Sequence, residues 1–239
     1  KYGCTHHLTL KELGYNSSND HQEIVERLEN KDIGWAYADQ SMFNPKLHNL
    51  MSLRKQIIKR PVITTVEVLV KPVSSKNDMF FTGFVHKPYP PIYLELSRNA
   101  QFNSATVIRG TEGGIIPSLR QTGKVHFYHS AGEQDDSYDV TPDELGIVQS
   151  SRAVDIPEEI TRKNTKDKIE SKIDAVDIAK ETIKSGISAL SGNDGPMLSC
   201  IQLGAAIVLQ RATGDDLDNC SKEVLRVLKS GAALKRMKR

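Results

Sequence analysis

An α/β fold, with a mostly parallel central sheet flanked by helices, is what the sequence predicts, and three observations lead to it. Strand-like and helix-like segments alternate through the middle of the 239-residue chain, the pattern that places helices over a sheet. With 38% hydrophobic and 26% charged residues, the chain can bury a real core and does not have the composition of a disordered protein. The stretch TVIRGTEGGIIPS at 106–118 starts as a β-branched run, Thr106, Val107 and Ile108, and then turns sharply at Gly113-Gly114. Arg109 and Glu112 stand between them, two opposite charges in a loop leaving a strand end, where α/β folds bind ligands.

Taken in order, HQEIVERLEN at 21–30 carries Ile24, Val25 and Leu28 at helical spacing, with acids in the first turn. GWAYA at 34–38 is a short apolar run that reads as a strand. NPKLHNLMSLRKQII at 44–58 reads as one helix, with Asn44 as N-cap and Pro45 at the first helical position. Leu47, Leu50, Met51, Ile57 and Ile58 line its apolar face. RPVITTVEVLV at 60–70 is β-branched and strand-like, although Pro61 marks a break. MFFTGFV at 79–85 is a further strand, and the turn HKPYPP at 86–91 leads into a helix over 92–102. After the strand at 105–109, GKVHFYH at 123–129 and DSYDV at 136–140 read as antiparallel additions with a turn between. TPDEL at 141–145 is a helix start, with Thr141, Pro142 and Glu144 forming a capping box. The charged stretch at 161–172 is a surface connection. Three helices, about 173–190, 197–211 and 217–230, complete the chain, punctuated by Gly192, Gly195 and Gly214.

The net charge of +2 is too near neutral for the whole protein to act as a polyanion binder, so such a role needs a local patch. Cys4, Cys200 and Cys220 are scattered, without CxxC spacing, which points to a reducing cytoplasm and away from a disulfide framework or zinc site. No apolar run approaches the roughly 18–20 residues of a membrane span, and a secretory leader is not expected. The chain opens on Lys1 rather than Met, so the expectation is a chain lacking its N-terminal part.

The C-terminal stretch ALSGNDGPMLSCIQLGAAIVLQRATGDDLDNCSKEVLRVLKSGAALKRMK gives a Gly-Pro helix start, a small-residue helix and a last helix ending in SGAALKR. This resembles the C-terminus of the anthranilate phosphoribosyltransferase family, also called glycosyltransferase family 3. Upstream, KYGC at 1–4 is similar to the family's KHGN phosphoribosyl-pyrophosphate loop, SLRKQIIKRPV at 52–62 to its VRRELGIRT helix, and VIRGTEGG to the strand and loop ending in its Asp-Glu pair. The order and spacing hold over nearly the whole chain.

The resemblance implies the α/β phosphoribosyltransferase fold with a small helical domain beside it. Residues 1–40 and 61–239 would form the α/β part, and 41–60 a segment of the helical domain whose rest is expected upstream. It implies a ligand cleft between the two, Mg²⁺ wherever phosphoribosyl pyrophosphate is bound, and a homodimer. Lys1 and Gly3 match the phosphate loop, but Cys4 stands where the enzymes have Asn. Arg54 matches the arginine that contacts the aromatic acceptor. The magnesium-holding Asp-Glu pair falls at Gly114 and Ile115, so neither carboxylate remains, and the family's GTGGD segment would precede Lys1. The pattern RGTEG is similar to the divergent (YbiB-like) branch of that family, which includes a DNA-binding member and in which transfer to anthranilate is not the expected activity.

Each candidate residue has a functional and a structural reading. Arg109 suits bidentate phosphate contact or an ion pair with Glu112 that braces the turn, and Glu112 is a metal ligand or a turn carboxylate. His86 and Lys87 face a phosphate at the strand-end rim or belong to a rigid proline turn. Thr5 and His6 begin a helix after the phosphate loop, an anion-attracting place, or else Thr5 is an N-cap and His6 and His7 are surface groups. A zinc site at His6 and His7 is not expected, because adjacent helical residues point to different faces. Arg54, beside Lys55, Lys59 and Arg60, orients an acceptor, meets a nucleic-acid backbone or is solvated. The tail residues Lys235, Arg236, Lys238 and Arg239 complement a helix end or add salt-dependent phosphate contacts. Two functions follow. One is transfer of phosphoribose from phosphoribosyl pyrophosphate to an acceptor other than anthranilate. The other is a non-catalytic DNA-binding relative using the cleft as a basic groove.

Overall fold

The computed structural model describes residues 4–15, 20–57, 62–162 and 174–239; the candidate residues Lys1 and Gly3 lie outside them. The chain begins with short helices, the first four of them each started by a side-chain cap. Thr5 accepts the Leu8 amide at 3.1 Å to open α1 (His6–Glu12), and Asp20 accepts the Glu23 amide at 2.8 Å to open α2 (His21–Glu29). Asp39 caps α3 (Gln40–Phe43), and Asn44, followed by Pro45, caps α4 (Pro45–His48). The single helix expected over 44–58 is broken at Asn49-Leu50, and a second piece, α5, covers Met51–Gln56.

Two strand expectations fail here. GWAYA is irregular, and its Trp35 packs against the ring of Tyr15 with centroids 5.3 Å apart. The β-branched run over 60–70, as far as it is described, is helical: α6 (Ile63–Val66) runs into a 3₁₀ turn (Glu67–Leu69) that drops Leu69 into the core. Strand propensity acts only where a neighbouring strand supplies a ladder. The helical bond from the Val66 amide to the Val62 carbonyl supplies the alternative.

From residue 79 the ladder exists. β1 (Met79–Gly83) leads through α7 (Tyr89–Asn99) to β2 (Ser104–Ile108), which lies parallel to it with Gly83 opposite Ile108. β3 (Gly123–Tyr128) and β4 (Asp136–Val140) follow antiparallel, giving the order β1-β2-β3-β4. The α/β class is therefore as expected, but the sheet is mixed rather than mostly parallel. A parallel neighbour needs a crossover, which α7 provides between β1 and β2. The loop after β2 carries no helix of useful length, so the chain can only reverse. α7 starts at Tyr89, earlier than the expected 92, since Pro90 and Pro91 fit a first turn. TPDEL forms a 3₁₀ turn in which the Thr141 side chain makes no cap hydrogen bond, so the expected capping box is absent.

α8 (Glu158–Arg162) precedes the C-terminal helices α9 (Ala175–Leu190), α10 (Pro196–Thr213), α11 (Leu217–Lys229) and the short α12 (Ala232–Met237). One sheet face packs Phe80, Val107 and Tyr128 on Tyr93 and Leu94 of α7; the other packs Ile108, Val125 and Val140 on Cys200, Leu203 and Ile207 of α10. A third cluster, Ala189, Leu198 and Leu228, joins α9, α10 and α11. Among the described residues no helix is long and apolar enough to cross a membrane.

Candidate functional site

The register that pairs Gly83 with Ile108 makes the two parallel strands end together. The segments that follow, 84–88 after β1 and 109–116 after β2, therefore share one rim at the carboxyl end of the sheet. The Phe84 amide still donates to the Ile108 carbonyl at 2.9 Å, and the Arg109 amide to the Lys124 carbonyl at 2.9 Å, so both segments start from fixed backbone. Next to those points stand two glycines, Gly83 at the end of β1 and Gly110 after Arg109, and both are required sterically. A Cβ at Gly83 would lie 2.1 Å from the Gly114 carbonyl oxygen, and one at Gly110 only 1.5 Å from the same atom. The loop is thus folded onto the strand end by backbone contact, closed by the Thr111 amide donating to Ile116 at 2.9 Å. Within it Glu112 takes a left-handed backbone, φ +53°, a conformation unfavourable for a residue with a side chain.

This rim brings His86, Lys87, Arg109 and Glu112 together, all exposed. The brace between Arg109 and Glu112 is absent: neither side chain, nor that of Lys87, makes an ion pair with a described residue. His86 meets only the Tyr89 ring, with centroids 6.1 Å apart. Two unpaired cations, a histidine and one carboxylate are thus exposed on the segments of this rim. The loop supplies one carboxylate, Glu112, and among the described residues no group of three or more His, Cys, Asp or Glu side chains can hold a metal. The donors at this rim do not fit a protein-held Mg²⁺.

The other predicted residues are elsewhere. Thr5 is the cap of α1 and His6 is exposed beside it; among the described residues no hydrogen bond or ion pair ties α1 to the rim, and α1 packs on α9 instead. Arg54 is engaged: its Nη1 donates to Glu67 Oε2 at 2.6 Å, with both side chains largely covered.

Sequence reasoning missed a cavity of about 230 Å³ beside α1, lined among others by His7, Lys11, Tyr37 and Asp39. His7, read as a surface group, lies 3.2 Å from Asp39 through Nδ1. Burial works to raise the Asp39 carboxyl, but hydrogen bonds from Ser41 and the neighbouring His7 and His48 outweigh it and hold the group below the usual carboxylate range. Burial, with Asp39 close by, pushes the Tyr37 phenol up. Neither the role of Asp39 as the cap of α3 nor its pairing across more than thirty residues was read from the sequence.

No family model matches the chain. It is 22% identical over 205 residues to an anthranilate phosphoribosyltransferase of Aquifex aeolicus (strain VF5), a match covering 85% of this chain and 54% of that enzyme. An uncharacterized protein of the same organism is 35% identical over 95 residues, 40% of this chain and 30% of the relative. The chain thus spans about half the length, or less, of the curated relatives it matches. Among solved structures, anthranilate phosphoribosyltransferase from Saccharomyces cerevisiae in complex with PRPP and Mg superposes with a TM-score of 0.70 at 16% identity, over 97% of this chain and 60% of that one. The same enzyme in complex with 4-fluoroanthranilate gives 0.68 at 16% identity, with the same coverage. The resemblance read from the sequence is borne out: the chain has the anthranilate phosphoribosyltransferase-like fold and is divergent in sequence.

Proposed function

We propose that the chain is the α/β portion of a phosphoribosyltransferase-type protein that takes the pyrophosphate of phosphoribosyl pyrophosphate at the rim of β1 and β2. The observation that carries this is the unpaired cations Lys87, with His86 beside it in the segment after β1, and Arg109, at the start of the glycine loop after β2, at the carboxyl end of two parallel strands. In transfer, the bond between sugar carbon and pyrophosphate oxygen breaks, the electron pair leaves with the pyrophosphate, and the acceptor forms the new bond. Arg109 and Lys87 sit where that leaving charge develops, and fixed cations stabilise it without reorganising. Support for the ligand comes from the yeast relative, which is solved with PRPP and Mg. Mg²⁺ enters this reading as a chelate of the ligand's own oxygens, a usual way for it to bind. The acceptor is other than anthranilate, since Gly114 and Ile115 stand where the enzymes carry their acid pair. Arg54, with its guanidinium set by Glu67, is the acceptor-side residue.

A second reading, a nucleic-acid-binding relative, is favoured by that same loss of carboxylates, which leaves the rim cationic without groups to organise a metal. One titration separates the two. The full-length protein is titrated calorimetrically with phosphoribosyl pyrophosphate, with and without Mg²⁺, and with duplex DNA at two salt concentrations. Binding of the sugar phosphate that is lost in Arg109→Gln supports the first reading. Absence of that binding, together with DNA affinity that falls steeply with salt, replaces it with the second.

A further inference from the structure

The largest of the described cavities, about 420 Å³, lies away from the strand-end rim, between the turn after α1, α2, α9 and the end of the chain. Its walls divide by chemistry. Leu13 and Ile187 are apolar, Tyr15 offers an aromatic body, and Arg27, Lys238 and Arg239 are cationic. Each cation is in a different state. Arg239 is neutralised by Asp32 at 2.7 Å. Lys238 is exposed and unpaired among the described residues.

Arg27 is the telling one. Its guanidinium carbon lies 5.3 Å from the Tyr15 ring centroid and 5.1 Å from that of Trp35, and those two rings pack on each other at 5.3 Å, so the group rests against one side of an aromatic pair. These contacts hold it in place, yet its side chain makes no ion pair and donates no hydrogen bond to any described residue. Its Nε is buried without a partner, as is the hydroxyl of Tyr15. Such groups are costly to leave unmade, and a guanidinium held rigid by aromatic stacking loses little freedom when an oxyanion arrives.

We propose that this cavity binds an organic phosphomonoester with a flat aromatic body, of the size of a nucleoside monophosphate. The charge selects the head group: Arg27 and Lys238 leave two positive charges uncompensated, matching the charge of roughly −1.5 to −2 on a phosphomonoester at neutral pH. A carboxylate would compensate only one. The apolar and aromatic walls select the body, because inorganic phosphate would leave Leu13 and Ile187 facing water. The site is independent of the strand-end rim, which holds its own cations on other loops.

The test is calorimetry on the full-length protein with AMP, hexyl phosphate and inorganic phosphate. AMP should bind at least about tenfold more tightly than inorganic phosphate. Lys238→Gln, at an exposed position where folding is not at risk, should weaken AMP by roughly tenfold, the worth of one charge-assisted contact. Arg27→Gln should abolish binding, with its folding checked by circular dichroism. Arg109→Gln should leave AMP binding unchanged, which separates this cavity from the rim. Equal binding of hexyl phosphate and AMP overturns the aromatic specificity. No AMP binding, or AMP binding indifferent to Lys238→Gln, overturns the site.

Discussion

Between residues 79 and 147 the apolar side chains are mostly inside: Leu94 is 1% exposed and Val107, Val125 and Tyr128 are at 0%, and the exposed exceptions, Val85, Ile92 and Ile115, lie outside the strands. Between residues 20 and 70 they are largely outside, with Met42 at 52%, Leu53 at 53% and Val62 at 78%. The sheet region makes its own core, because each face meets a helix of eleven residues or more, α7 on one side and α10 on the other. The early region is a string of helices of four to nine residues, lengths that do not persist on propensity alone. Caps and a few long-range polar contacts hold it instead. The difference teaches that the two regions should respond unequally to the same kind of damage.

The largest effect belongs to the glycine loop of the sheet region. In Gly110→Ala the new methyl falls on the Gly114 carbonyl, at 1.5 Å, while the backbone φ of −88° is one alanine accepts. The damage is purely steric, and relief means displacing the loop. We expect a loss of about 3 kcal/mol or more in urea denaturation, at the upper end for overpacking, together with loss of ligand binding at the rim. A variant within about 0.5 kcal/mol of the parent, a typical neutral surface change, would show that the loop is not seated on the strand.

Next comes the ion pair that opens β1. Lys71 Nζ lies 2.8 Å from Asp78 Oδ2 and also donates to the Gln101 carbonyl at 2.8 Å, while Ser75 donates twice to the other carboxylate oxygen. Burial alone would raise the Asp78 carboxyl, but the bonds from Lys71 and Ser75 outweigh it and hold it below its ordinary value. A depressed carboxyl stabilises the fold above the unfolded value near pH 4 and loses that contribution as pH falls through its folded value. Asp78→Asn should therefore cost about 2 kcal/mol at pH 7. The difference from the parent should shrink below about pH 4; a constant difference down to pH 2 would deny the carboxylate its role.

His126 of β3 gives a pH effect of opposite origin. Burial, aided by Lys124, lowers its imidazole below the ordinary value. The unfolded chain then binds the proton more readily, so stability falls as pH drops through the histidine range near 6.5 and levels off below the folded value. His126→Gln should flatten that part of the stability profile. An unchanged profile between pH 7 and 5 would assign the slope to other groups.

How much was legible follows the same division. β2, β3 and β4 were readable because their β-branched and aromatic runs have ladder partners, and α9 to α11 because Gly192, Gly195 and Gly214 bound them. The 34–38 and 60–70 runs looked equally strand-like, yet 34–38 and the described part of the second run, 62–70, are not strands, since no neighbouring strand turned propensity into pairing. At the candidate site, His86, Lys87 and Arg109 were legible as strand-end residues, and the register of β1 with β2 brings them to one rim. The Arg54–Glu67 and His7–Asp39 pairs and the aromatic contacts of Arg27 were not legible. Each joins residues whose nearness depends on how short helices stack, which periodicity does not encode.

The smallest effect sharpens the comparison most, because it repeats the Asp78 lesion in the early region. The Arg54–Glu67 pair has the shorter contact, 2.6 Å, but its side chains are 26% and 17% exposed against 16% and 15% for Lys71 and Asp78. Glu67→Gln keeps the shape and removes the charge. With Arg54 free to turn toward water, the expected cost is about 1 kcal/mol, near the top of the range for exposed pairs and below the cost at Asp78. If the cost at Glu67 equals or exceeds that at Asp78, the early region is as tightly built as the sheet. The exposure of its apolar residues would then not reflect how strongly it is held. If the cost is smaller and Arg54→Ala still lowers phosphoribosyl transfer, the arginine acts on the acceptor rather than through the stability of its helix.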